Sequence, residues 1–192
     1  MMLFKEIFVK RCLPIGILLI LLNCGTSGKT TISKSQETTL DRLIAAKNFV
    51  ITCDRALPLM TISMNSLFNS GLFPPGSAAN SVNLVGNSNY LKVMGDSVAA
   101  ELPYFGERQM GGGYNQNGSG VEFSGMPREW QLTKNEKAGR YELRFKINQE
   151  SESFNVNVVV FPNLNSSINI TSSQRFSIRY EGTAKAIEED EL

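Results

Sequence analysis

The chain has 192 residues, 19 basic against 18 acidic side chains, three cysteines and no histidine. So even a balance leaves no polybasic face for nucleic acid or anionic lipid. Without histidine, the commonest general base, the commonest zinc ligand and every histidine-dependent triad are excluded, and no cofactor or metal site is expected.

The amino terminus reads as an export signal. Lys5, Lys10 and Arg11 precede the uncharged apolar run from Leu13 to Leu22. As a helix that run reaches about 15 Å, half of a bilayer's hydrocarbon thickness, so it does not span. Leu21-Leu22-Asn23-Cys24-Gly25 then resembles the bacterial lipobox, in which a cysteine thiol takes a diacylglyceryl group and the chain is cut just before it. Asn23 departs from the small residue usual in that slot. The expectation is a cleaved signal peptide over 1–23 and a lipid on Cys24 that holds the protein to a membrane. An ordinary secretion signal with Cys24 incidental is the alternative. The overlapping Gly-Thr-Ser-Gly-Lys-Thr of 25–30 has the look of a phosphate loop, but Asn23 stands where the first glycine belongs and no buried strand leads into it.

Loss of 1–23 leaves 16 basic and 17 acidic residues in a mature chain of about 169 residues, a size for one domain. Cys12 falls in the signal and Cys24 at the anchor, so Cys53 has no partner within the chain and is expected as a small buried thiol. Residues 24–36 are rich in Gly, Ser, Thr and Lys and predict a flexible tether. A helix is predicted from Thr38 to Lys47, with Thr38 and Asp41 at capping-box spacing and Leu40, Leu43 and Ile44 on one face.

After Phe49 the apolar period becomes two. Tyr141-Glu142-Leu143-Arg144-Phe145-Lys146-Ile147 alternates without a break, and Phe154 to Val158 and Phe176 to Tyr180 repeat it. Shorter candidates are Tyr90 to Met94, Val98 to Leu102, Gly120 to Phe123, Trp130 to Thr133 and Ser167 to Thr171, with turns at Gly95-Asp96, at 137–139 and over the polar stretch 148–153. About eight or nine strands behind one N-terminal helix predict a mainly β domain, an antiparallel sandwich or a small barrel with the helix covering an open end. It is expected over 37–186, with an acidic tail over 187–192.

Two long irregular stretches, 57–88 and 103–119, interrupt the pattern. The second holds Tyr104, Phe105 and Tyr114 among glycines and polar residues; these form a candidate binding loop, unless Tyr104 and Phe105 fold back to cap the sheet. Asp96-Ser97-Val98 resembles an O-glycosylation site of exported bacterial proteins, with Ser97 as acceptor, and it also suits a hairpin turn. Glu101, Glu107 and Glu122 are the carboxylates that a glycan hydrolase would use.

The segments NYLKVMGDSVAAELPYFGERQMGGGYNQNGSGVEFSG, FVITCDRALPL and YELRFKINQESESFNVNVVVFPNLNSSINI are similar to the bacterial family catalogued as domain of unknown function 4251, from about Ala45 to the last strand. The resemblance implies a secreted or lipid-anchored protein of a Gram-negative bacterium, and it implies no activity or catalytic residues. The expected function is therefore a lipid-anchored periplasmic or cell-surface module that binds an envelope protein or glycan or plays a structural part there, rather than an enzyme. A barrel carrying an apolar ligand and a carboxylate-dependent hydrolase are the alternatives.

Overall fold

A computed structural model describes residues 34–78, 80–109 and 120–188. The signal sequence, Cys24 with most of the tether, Tyr114 and residues 189–192 lie outside the described residues.

Helix α1 (Lys34–Ala46) begins inside the stretch read as tether, so the ordered domain starts earlier than the sequence suggests. Thr38 is a helical residue whose hydroxyl donates to the Ser35 carbonyl at 3.1 Å, and the expected capping box does not form. The apolar face is as predicted: Leu40, Leu43 and Ile44 are buried. The helix stops because Lys47 turns to φ 48°, outside helical space. There its carbonyl accepts from Gly95 N at 2.7 Å and its ammonium meets Asp96 at 3.1 Å.

The strands that follow are β1 (Asn48–Pro58), β2 (Val82–Asn83), β3 (Tyr90–Met94), β4 (Ser97–Leu102), β5 (Val121–Gly125), β6 (Arg128–Asn135), β7 (Arg140–Gln149), β8 (Glu152–Val160), β9 (Asn165–Ser172) and β10 (Ile178–Ala186). A second helix, α2 (Ile62–Asn69), lies in the stretch expected to be irregular. All strands belong to one antiparallel sheet, ordered β5-β4-β3-β1-β10-β9-β8-β7-β6, with β2 on β1. The sheet curls into a half-barrel rather than splitting into a two-layer sandwich. Its two outer strands, β5 and β6, are consecutive in the chain and separated only by Met126-Pro127. They act as one bent strand whose first half pairs with β4 and whose second half pairs with β7. Phe123 of β5 meets Phe145 and Phe154 at 6.1 and 5.5 Å between ring centroids, joining the two flanks through the core.

Side chains fill the concave face. On β8 the buried positions are Glu152, Phe154, Val156, Val158 and Val160, the period of two expected of a sheet with one face on a core. Tyr180, Phe154 and Ile168 are among the fully buried. Between α1 and the sheet an apolar cavity of about 10 Å³, bordered by Ile44, Phe49, Trp130 and Leu143, has room for no more than one water. β6 carries a bulge between Arg128 and Gln131, where Trp130 stacks on Phe145 at 5.8 Å.

In the middle of β1, where β2 and β3 leave a gap, the amide of Asn89 substitutes for a partner strand. It accepts from Cys53 N at 2.8 Å and donates to Cys53 O at 3.0 Å, and it is 5 % exposed. Asn89→Ala leaves both backbone groups buried without partners and is expected to lower the unfolding free energy by about 2–4 kcal/mol, read from urea denaturation.

A polar clasp fixes α1 to the sheet. Lys134 of β6 lies 3.2 Å from Glu37 and 3.0 Å from Asp41, whose carboxylate also accepts from the Tyr141 hydroxyl at 2.8 Å. The Lys134 and Tyr141 hydrogen bonds hold the Asp41 carboxyl below its ordinary pKa. Its contribution to stability is present where the unfolded carboxylate is ionised, and it fades as the pH falls through the ordinary carboxylate range to the lower folded value. Thermal unfolding of Asp41→Asn should therefore fall below wild type at neutral pH and converge with it in acid.

Candidate functional site

Strand alternation divides the chemistry between the two ends of the half-barrel. α1, the Gly95-Asp96 turn and the β6–β7 turn share one end. The other end gathers the segment between β1 and β3, the β4–β5 connection, the β7–β8 turn and the β9–β10 connection.

The foundation of this second end is a buried ion pair. Arg175 and Glu152, 6 % and 7 % exposed, form two parallel hydrogen bonds, Nε to Oε1 at 2.8 Å and Nη2 to Oε2 at 2.9 Å. The Ser172 hydroxyl also donates to Glu152, and Arg108 lies 3.7 Å from its other oxygen. Nη1 of Arg175 donates to the Gly120 carbonyl at 2.5 Å, and its guanidinium sits 5.2 Å from the Tyr104 ring centroid. Gln109 N donates to Gln174 O and Phe176 N to Glu107 O, so Arg108 bridges to Arg175 in strand fashion. Arg175 thus holds both stems of the β4–β5 connection, Arg108 on one side and Gly120 on the other.

Tyr104 and Phe105 belong to the same construction. Both are partly buried against the core, which is the folded-back arrangement rather than a projecting one. The Tyr104 hydroxyl lies 3.0 and 3.1 Å from the Glu107 and Phe176 carbonyls, and burial raises its pKa. Phe105, Phe73 and Phe68 form a chain of rings with centroids 6.0 and 5.9 Å apart, which carries the β4–β5 connection up to α2.

Above this base stands a cap without charge: between Arg55 and Lys92 the sequence contains no Asp, Glu, Lys or Arg. The cap includes α2, whose N-cap Thr61 accepts from Met64 N at 3.2 Å while the Thr61 and Ser63 hydroxyls hold the Glu107 carboxyl below its ordinary pKa. Of its helical residues Met64 is buried, and Leu59, Met60, Ile62, Leu67, Leu72 and Val85 stand out into solvent. Among the described residues these are six of the eight exposed large apolar side chains, with Ile62 87 %, Leu72 77 % and Val85 74 % exposed. Scattered exposed leucines need no explanation, whereas six on one segment set this end apart from the rest of the described surface.

The remaining predicted residues lie apart from this base. Ser97 opens β4 beyond the two-residue Gly95-Asp96 turn, where Gly95 has the φ of 62° that this hairpin needs, and its hydroxyl donates to Met94 O at 3.0 Å. It is half-buried at the α1 end. Glu101 and Glu122 are direct cross-strand partners on the exposed face of β4 and β5, while Glu107 is engaged by the α2 N-terminus. Cys53 is buried, and desolvation pushes its thiol up to about 12. Among the described residues no group of three or more His, Cys, Asp or Glu side chains could hold a metal ion, and no helix is long and apolar enough to cross a membrane. Sequence reasoning missed the Arg175–Glu152 pair and the cap. The first was hidden in polar turns, but the second had a legible signal in the long interval without charge.

A single curled antiparallel sheet closed at one end by a helix defines the class of protein. The chain belongs to the family described as Domain of unknown function (DUF4251), whose profile matches residues 32–184. Among solved structures it is similar to a DUF4251 family protein from Bacteroides eggerthii, with a TM-score of 0.53 and 11% sequence identity over 79% of this chain and 88% of that one. That likeness concerns the fold. No curated protein matches the chain.

Proposed function

We propose that the protein is an envelope module, lipid-anchored through Cys24 on the periplasmic or outer surface of a Gram-negative bacterium, that works by contact through the capped end of its half-barrel. The observation that carries this reading is the contrast between inside and outside. Among the described residues the concave face is lined by a continuous buried core, with a cavity of about 10 Å³ beside α1, while the opposite end displays six exposed apolar side chains on a base held by a buried ion pair. A filled interior favours a binding module over a carrier of an enclosed ligand.

Two measurements test it. The mature amino-terminal peptide from a membrane fraction should begin at an acylated Cys24, and a Cys24→Ala chain should lack it; an unmodified peptide from a soluble fraction would remove the anchor. A photo-crosslinking residue at Leu72 should give a defined adduct in intact cells where one at Glu136, at the α1 end, gives none. Equal adducts from both positions, or none from Leu72, would remove the capped end as the working surface.

A further inference from the structure

We propose that the outer face of strands β6 to β9 carries a binding site for one or two neutral sugar rings, formed by Gln131, Asn155, Asn157, Asn169 and Thr171. The site uses no residue of the cap, so it stands whether or not the capped end makes contacts.

Strand register assembles it. Gln131 of β6 lies opposite Arg144 of β7, Arg144 opposite Asn157 of β8, and Asn157 opposite Asn169 of β9. In the next row Lys146 lies opposite Asn155, and Asn155 opposite Thr171. Directly paired residues share a face, and the intervening Phe145, Val156 and Ile170 are buried in the core, so both rows project outward. With strands about 4.8 Å apart and alternate residues about 7 Å apart along each strand, the rows cover about 14 by 7 Å, the footprint of a pair of pyranose rings. The bulge in β6 turns Glu129 to φ 54°, and its carboxylate meets Lys146 at 2.7 Å. These residues border an open groove of about 250 Å³, against about 10 Å³ for the cavity beside α1.

The hydrogen-bonding capacity of this groove is neutral and unspent. The side chains of Gln131, Asn155, Asn169 and Thr171 are exposed and make no hydrogen bond among the described residues. Asn157 donates from Nδ2 to Glu142 at 3.0 Å and leaves its buried Oδ1 without a partner, an acceptor that an arriving hydroxyl would satisfy. The charges, in contrast, are matched. Arg144 Nε donates to Glu142 at 2.9 Å and Lys146 pairs with Glu129, so an ionic ligand would have to disrupt one of these pairs. Protein and lipid partners call for an apolar anchor, and the apolar residues at this groove, Phe145 and Val156, are buried beneath it. Carboxamides and a hydroxyl each offer both donor and acceptor, which is the pattern that a ring of hydroxyl groups complements.

The test follows the side-chain amide signals of Asn155, Asn157 and Asn169 by heteronuclear NMR, in the full chain carrying Cys24→Ala. Maltose, cellobiose, lactose and mannobiose are titrated through the millimolar range. At least one should move these signals saturably. Asn169→Ala combined with Thr171→Ala should weaken that binding about tenfold at an unchanged urea midpoint, and Leu72→Ser on the cap should leave it as it is. The inference is overturned if none of these sugars gives a saturable movement, if the double variant binds as well as wild type, or if the movements fall on the cap instead. A stronger response to digalacturonate than to every neutral disaccharide would overturn the assignment to a neutral sugar.

Discussion

Arg175→Ala should lower the unfolding free energy by about 3–5 kcal/mol, seen as a fall in the urea midpoint at an unchanged slope. The loss is large because the substitution strands a carboxylate. Glu152 is 7 % exposed, and Arg108, at 3.7 Å, offers a poor substitute for two short parallel hydrogen bonds. Replacing both partners, with Arg175→Met and Glu152→Leu, should recover most of the loss, since two apolar side chains need no counter-charge. The double variant separates stability from anchoring. Arg175 also grips the Gly120 carbonyl, so the amides of Gln109 and Phe176, which pair with Gln174 and Glu107, should exchange faster with solvent even after stability returns. Unchanged exchange there would mean that the pair does not secure the β4–β5 connection.

Gly182→Ala should cost about 3 kcal/mol through overpacking of backbone on backbone. β1 bulges at Asp54, so that Cys53 pairs with Gly182 and Arg55 with Glu181, and the bulge presses β1 onto β10 at this glycine. A Cβ there would stand 2.1 Å from the Thr52 carbonyl oxygen and 2.6 Å from the Cys53 Cα, and neither atom can swing aside. The neighbouring Thr183→Ala, on an exposed position of the same strand, should stay within about 0.5 kcal/mol of wild type. Equal effects at the two positions would place the sensitivity in the strand and not in the close approach.

The strands were legible because alternation is a local property that burial of one face imposes residue by residue. Tyr141 to Ile147 could be read directly and falls within β7. The apolar face of α1 was equally plain. What escaped depends on distant parts of the chain. α2 is short and uncharged, and its N-terminus draws on Glu107, so nothing within Ile62 to Asn69 announces a helix strongly enough to outweigh its serines and asparagines. Glu152 sits in a run of Glu and Ser that looks like a solvated turn, and only the arrival of Arg175 from the β9–β10 connection makes its burial affordable. The choice between sandwich and barrel was invisible for a similar reason. It rests on the bend at Met126-Pro127, which lets one stretch of chain serve two distant partners. Of the candidate site, the sequence showed the aromatic residues of the β4–β5 connection and offered the folded-back placement that Tyr104 and Phe105 adopt, but not the cap above them.

The pairing of β1 with β10 joins the beginning of the domain to its end, Phe49 opposite Ala186. Every other long ladder links strands that are close in sequence, so this one has the highest loop-closure entropy to overcome and the highest contact order. A chain that emerges amino terminus first presents β1, β3 and β4 early, yet the sheet cannot curl shut over its apolar face until the last strand arrives. Completion of this domain therefore waits on β10, and until that strand pairs with β1 the chain has not acquired its closed fold.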